Sequence, residues 1–252
     1  MKAANIMSND FAVRIANNIA AVSEAAGEAA RAAGRNPGEV RILAVSKTQP
    51  AGAVAAAYSA GIRIFGENYA QELRDKAPET EEILGVSPEW HFIGHLQTNK
   101  CKYVAPYCST IHSLDSVGLA QELSKFANKF SKNFSVLLQV NTSGEASKYG
   151  CAPEDLESLV ASIMPIDGIR IIGLTTIAGL SGTSENTIRE FALLRHLRET
   201  LADETGRSES ELELSMGMSG DFREAIAEGA TIIRIGSLIF GERPPKPTKT
   251  SS

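Results

Sequence analysis

Lys47 closes the apolar run "RILAVSK" (residues 41–47), where a buried strand should be running out, and it carries the most reactive side chain at such a place. An amine there has three uses. It can lie along the strand end with its charge in water, hold an anion as a point charge, or form an imine with an aldehyde. The last use needs partial desolvation or neighbouring positive charge, which lowers the amine's pKa and frees its lone pair. Polar residues close other apolar runs in the same way: Glu67 and Asn68 in "RIFGEN", His95 in "WHFIGH", His112 and Asp115 in "TIHSLD", Asn141 in "LLQVN", Thr175 and Thr176 in "IIGLTT", and Arg234 in "TIIRIGS".

Two further segments suit an anion. In "LSMGMSGDF", Ser215, Met216, Gly217, Met218 and Ser219 stand just before a helical pattern, so backbone N–H groups and two hydroxyls can converge on a phosphate. Downstream, Gly236 lets the backbone approach closely and Ser237 adds a hydroxyl. Each segment alone reads equally as capping, with Ser219 as an N-cap and the glycines as turn formers. On adjacent strands the two together favour a phosphate. Pyridoxal 5'-phosphate would supply both the aldehyde and the phosphate, whereas Lys47 taken alone reads as a solvated strand-end lysine or a simple charge for phosphate.

The elements that must position these residues repeat one unit. Short apolar runs without alternation occupy residues 40–46, 62–66, 90–94, 110–114, 134–140, 169–175, 212–215 and 231–235. Helical patterns fill the gaps, at about 50–60, 69–84, 97–104, 116–130, 153–164, 184–205 and 219–228. Runs of this kind suit strands covered on both faces, the parallel arrangement. Eight such units in a chain of 252 residues predict a single (β/α)8 TIM barrel of the α/β class. An open doubly wound sheet is the alternative, but no glycine-rich dinucleotide turn follows the first strand. Residues 10–34, Ala-rich with helical spacing and closed by Gly34, form an extra helix before the first strand. The expected division is a tail at 1–9, the barrel at 10–243 and a flexible tail at 244–252.

Composition removes several classes. A net charge of -5 gives no electrostatic reason to expect a nucleic acid or an anionic membrane as partner. No secretory signal opens the chain and no apolar stretch approaches a bilayer span, so a cytoplasmic location is expected. Cys101, Cys108 and Cys151 are odd in number without metal spacing and read as buried or idle thiols. His91 and His95 are four apart but lack the glutamate of a zinc-protease helix and fall in a strand, so no metal site is expected. His95 is then the pocket residue of the two and His91 a wall residue. Lys148 in "GEASKYG" is a second lysine on a mouth loop, either solvated or holding the cofactor in transit. Asp221 reads as a residue favouring a helix's first turn rather than as a chemical group, Asp115 as an N-cap, and Glu67 as a tie to a loop amide.

The blocks "AVSKTQP", "FGENYAQEL", "WHFIGHLQTNK", "LSMGMSGDF" and "RIGSLIFGER", in this order between Val40 and Arg243, resemble the YggS/PROSC family of pyridoxal phosphate homeostasis proteins, similar in fold to the barrel of alanine racemase. The resemblance implies one barrel with pyridoxal phosphate as an internal aldimine on Lys47. It implies phosphate contacts from Ser215 to Ser219 and from Gly236 to Ser237, Arg234 facing the pyridine nitrogen, and Asn68 near the ring. Thr175 stands where the family usually has Met, and Ser237 where it often has Thr.

An arginine at the ring nitrogen is always charged and only donates, so it disfavours the protonated ring that makes a strong electron sink. The expected function is therefore a carrier that takes up pyridoxal phosphate reversibly and buffers or delivers it, with apo enzymes that need it as recipients and the protein itself a monomer. The competing reading is an amino acid racemase in which Lys47 is one base and Tyr69, His95 or His112 the other.

Overall fold

The computed structural model describes residues 9–179 and 183–241. The tail expected at 1–9, apart from Asn9, and everything expected from residue 242 onward lie outside the described residues. Eight parallel strands close into a barrel in chain order: β1 (Arg41–Val45), β2 (Ile64–Glu67), β3 (Glu89–Phe92), β4 (Cys108–Leu114), β5 (Phe134–Gln139), β6 (Ile169–Thr175), β7 (Glu213–Ser215) and β8 (Ile232–Ile235). Closure is by β8 on β1, where Leu43 pairs with Arg234 and Ala44 with Ile235. The predicted (β/α)8 barrel is the fold found.

Outside the barrel run α1 (Asn9–Ala32), α2 (Ala51–Ser59), α3 (Ala70–Leu84), α4 (Cys101–Val104), α5 (Val117–Phe130), α6 (Leu156–Ile163), α7 (Ser184–Thr205), α8 (Phe222–Ala227) and α9 (Ser237–Phe240). The extra helix α1 buries Ile15, Ile19, Val22, Ala26 and Ala30, a stripe at three- and four-residue spacing. That stripe packs on α2, α8 and α9, so α1 fills the slot between the first and last helices of the ring. A bond from Asn18 Nδ2 to the Ile239 carbonyl, 2.9 Å, ties it to α9.

Three edges differ from the sequence reading, one being the helix expected over 153–164, which opens as a 3-10 turn at Pro153–Asp155 before α6. The helix expected over 97–104 is a 3-10 turn at Thr98–Lys100 followed by the single turn of α4. The helix expected from 219 begins at Phe222, because Asp221 has φ -142° and ψ 13°, outside helical values. The short α9 carries no periodic pattern and was not expected.

The inside of the barrel is mixed. Leu43, Ile64 and Ile232, with Val45 and Ile93, make a small apolar plug on the β1, β2 and β8 side. Elsewhere the lumen is polar, since His112 on β4 reaches Ser215 on β7, and Arg234 on β8 reaches Thr175 on β6. Neither pair of strands is adjacent in the sheet, so both contacts cross the lumen. The main apolar core lies outside, between the strands and their helices.

Candidate functional site

The carboxyl ends of β1, β2 and β8 are neighbours. Val45 pairs with Gly66, and Ala44 with Ile235, so the segments after them carry Lys47, Asn68 and Gly236–Ser237 side by side. Lys47 is half-buried. It lines a small pocket of about 30 Å³ with Val45, Gln49, Gly236, Ser237, Phe240 and Gly241. A much larger cavity, about 500 Å³, lies at the opposite end between α1 and the starts of β1 and β2, away from all of these groups.

The loop bearing Lys47 is pinned on both sides. Lys76 of α3, 6% exposed, donates from Nζ to the Ser46 carbonyl at 2.6 Å, to Glu67 Oε1 at 2.7 Å and to Glu72 Oε1 at 2.6 Å. The Ser46 hydroxyl donates to Glu67 Oε1 at 2.7 Å, and the Thr48 amide donates to Glu72 Oε1. Thr48 holds φ 65°, an uncommon angle for a β-branched residue, so the turn after Lys47 depends on these bonds. Burial holds the Glu67 carboxyl above its usual range, with Lys76 pulling the other way. The loop amide expected on Glu67 is taken by Glu72 instead. Glu67 ends β2 facing α3, where the hydroxyl of Ser46 and the ammonium of Lys76 are its partners.

Arg234 is 6% exposed, and both of its Nη atoms are engaged. Nη1 donates to the Ser215 carbonyl at 2.6 Å, to Ser215 Oγ at 2.9 Å and to Thr175 Oγ1 at 3.1 Å. Nη2 donates to the Thr176 carbonyl at 2.7 Å. Burial lowers its pKa to about 10, which still leaves it a cation at neutral pH. Thr175 also donates to the Ser215 carbonyl at 2.8 Å. The residue that departs from the family's usual Met thus adds a hydroxyl to the arginine's cradle. Ser215 is fully buried, and its hydroxyl belongs to Arg234 and His112 rather than to the loop where a phosphate was expected.

The other loop residues follow. Met216 is fully buried, and its amide serves the Ile232 carbonyl at 3.2 Å. Gly217 has φ 89°, and a Cβ there would stand 2.5 Å from Ala225 Cβ, so both conformation and packing require glycine. The Met218 amide donates to Asp221 Oδ1, so Asp221 ties the loop before α8 instead of capping the helix. Ser219 is partly exposed on the same loop. Gly236 and Ser237 begin α9, where first-turn amides have no partner inside the helix.

At the rim, His95 stacks on Tyr149 with ring centroids 3.7 Å apart and 8° between planes, and its Nδ1 lies 3.8 Å from Asp115 Oδ2. Lys148 Nζ lies 3.4 Å from the Ala178 carbonyl. Asn68 is half-buried, and its Oδ1 is buried with no hydrogen-bond partner among the described residues. His112 is fully enclosed in the lumen, held well below its usual pKa by burial, with His91 and Arg234 acting in the same direction. Both of its ring nitrogens are taken, by His91 and by Ser215, which counts against it as the second base of a racemase. His91 is not a plain wall residue either, because it bonds His112 and Glu89. Cys101 and Cys108 are buried and Cys151 is half-buried, and burial raises Cys101 to about 12 and Cys151 to about 11, with Cys108 raised as well.

Sequence reasoning missed Lys76, Glu72 and the lumen pair His91–His112. The signal for the last was present, since "EWHF" and "TIH" alternate polar with apolar residues at period two, the mark of a strand with one polar face.

Residues 14–244 match the model of the alanine racemase N-terminal domain family. The chain belongs to that family of barrels, within it to the pyridoxal phosphate homeostasis proteins. One of these, from Pseudomonas aeruginosa, is 46% identical over 229 residues, 91% of this chain and 96% of the relative. A crystal structure of an unknown protein from Bifidobacterium adolescentis superposes with a TM-score of 0.87 at 37% identity, covering 93% of this chain and 98% of that one. PipY of Synechococcus elongatus, a structure with pyridoxal phosphate bound, superposes with a TM-score of 0.77 at 34% identity, covering 90% of this chain and all of the other.

Proposed function

We propose that this protein binds pyridoxal 5'-phosphate reversibly at the mouth formed by β1, β2, β7 and β8, and serves to buffer or deliver it to enzymes that require it. The observation that carries the reading is the register that sets Lys47 beside Asn68 on one side and Gly236–Ser237 on the other. The names of the relatives and the bound PipY structure support it.

The residues present fit such a ligand. A buried amide oxygen without a partner among the described residues, Asn68 Oδ1, suits a ring hydroxyl. Lys47 would attach through Nζ to the aldehyde carbon, one water leaving, and the Lys76 network would hold its loop in place. The amides of Gly217, Ser219, Gly236 and Ser237 and the hydroxyls of Ser219 and Ser237 would take the phosphate, Met216 and Met218 contributing backbone shape alone. Arg234 would face the ring nitrogen as a fixed donor, and His95 would bound the rim with Tyr149. When bound, pyridoxal phosphate supplies a reactive aldehyde and an electron-withdrawing ring. An arginine at that nitrogen keeps the ring unprotonated and so weakens the second property, which favours carriage over catalysis.

Titrating the ligand-free protein with pyridoxal phosphate while recording absorbance tests this. A new band between the near ultraviolet and the visible that saturates at one equivalent, and is lost in Lys47→Ala, is the expected result. An unchanged titration in a folded Lys47→Ala would move the attachment elsewhere, with Lys148 the next candidate.

A further inference from the structure

The lumen holds a line of polar side chains of which the cofactor reading employs only the last, Arg234. Glu89 opens β3 at the amino-terminal face with 56% of its side chain exposed, and its Oε1 lies 2.8 Å from His91 Nε2. His91 Nδ1 is 2.8 Å from His112 Nε2, and His112 Nδ1 is 2.9 Å from Ser215 Oγ. Ser215 Oγ in turn accepts from Arg234 Nη1 at 2.9 Å. Each of the four inner residues is at most 6% exposed. The line therefore joins solvent at one end of the barrel to the guanidinium at the other.

Donor counting fixes its direction. Arg234 can only donate, so Ser215 Oγ accepts from it, and the serine's own proton goes to the remaining neighbour, His112 Nδ1. His112 is then the Nε2–H tautomer and donates to His91 Nδ1, leaving the His91 Nε2–H for Glu89. Every bond points the same way, from a buried cation to a partly exposed carboxylate, through two neutral rings. The charged groups that face the line are Arg41 of β1 and Glu213 of β7 at its lower end, paired at 2.6 Å, and Asp221 near Arg234 at its upper end.

We propose that this line is a relay that couples the charge at Glu89, on the amino-terminal face, to the orientation and donor strength of Arg234 at the cofactor site. His91 and His112 are its positioning residues. The consequence for the ligand rests on the cofactor reading above, whereas the relay itself is a property of the protein alone. Hydrogen bonds aligned head to tail polarise one another, so neutralising the carboxylate at one end weakens the bonds above it. A proton placed on His91 would remove the lone pair that His112 needs. His112 would turn to its Nδ1–H form, and the Ser215 hydroxyl would lose its acceptor.

The test begins on ligand-free protein labelled with nitrogen-15 at histidine and arginine. Both lumen histidines should show the neutral Nε2–H pattern, and Glu89→Gln should move the Arg234 side-chain signals although the substitution sits at the opposite face. The movement should vanish when His112→Asn is added, since asparagine can offer Ser215 an acceptor but cannot reach His91. Finding His112 as the Nδ1–H tautomer or as a cation at neutral pH overturns the relay, as does an Arg234 signal unmoved by Glu89→Gln. An equal movement in the His112→Asn background overturns it too. Should His112→Asn not fold, Glu89→Gln decides alone. With pyridoxal phosphate added, Glu89→Gln should displace the pH profile of the bound absorbance band relative to wild type; superimposable profiles contradict the coupling. A protein that takes up no pyridoxal phosphate refutes the cofactor reading, and the ligand-free spectra still judge the relay.

Discussion

Lys76 Nζ lies 2.7 Å from Glu67 Oε1, with both side chains all but removed from solvent, directly beneath the turn that presents Lys47. The pair is fully bonded on its cationic side, where three oxygens share the ammonium. A buried pair of this kind is costly to break from one side because the survivor keeps an uncompensated charge. Lys76→Met should therefore destabilise the protein by about 3–5 kcal/mol. Glu67→Gln with Lys76→Met should cost less than Lys76→Met alone, as urea denaturation would show. Equal stabilities for wild type and Lys76→Met would mean that the pair carries no structural weight.

The glycines of the two loops proposed to hold the phosphate predict different outcomes. At Gly217 the positive φ and the approach of Ala225 both oppose a side chain, so Gly217→Ala should lower stability by about 2 kcal/mol or more. At Gly236 φ is -114° and the nearest atoms to a Cβ, on Val45, are 3.4 Å away or more, so alanine fits the protein. Gly236→Ala should stay within about 1 kcal/mol of wild type, as expected for a substitution that creates no clash. It should nonetheless bind pyridoxal phosphate at least tenfold more weakly, because the methyl occupies the approach to the phosphate. Unaltered affinity in Gly236→Ala would place the phosphate on another loop.

The buried His112 makes a prediction about pH. Its folded pKa lies well below its ordinary value, so on acidification the unfolded chain takes up a proton that the native state refuses. Stability is complete above the ordinary histidine value near 6.5 and falls as pH drops below it, with a slope of about 1.4 kcal/mol per pH unit from this one group. His112→Asn should remove that slope between about pH 6.5 and 5. Parallel stability curves for wild type and variant over this range would contradict the burial of a neutral ring.

Much of this architecture is legible in the sequence. Each barrel strand runs apolar with few breakers, so the edges of β1 to β8 fall within about two residues of the pattern, within the usual error of such readings. The ends of the strands were informative because a polar residue after a buried run must have a reason to be there. The four residues of α9 are too few to show a helical period. Lys76 looked like any helix-surface lysine, since burial depends on what β2 places opposite it. The lumen chain escaped for a different reason. Strands in a parallel barrel are covered on both faces, and that rule says nothing about whether the inner cover is apolar, as at Leu43, or hydrogen-bonded, as at His112.

Covalent attachment of the ligand at the Lys47 amine is the proposed feature on which the others rest. Reducing the complex of protein and pyridoxal phosphate with borohydride and mapping the digest by mass spectrometry would locate the bond. A phosphopyridoxyl group on the peptide containing Lys47, absent from Lys47→Ala, is the predicted result. An unmodified Lys47 peptide alongside a modified Lys148 peptide, or no modified peptide at all, would contradict it.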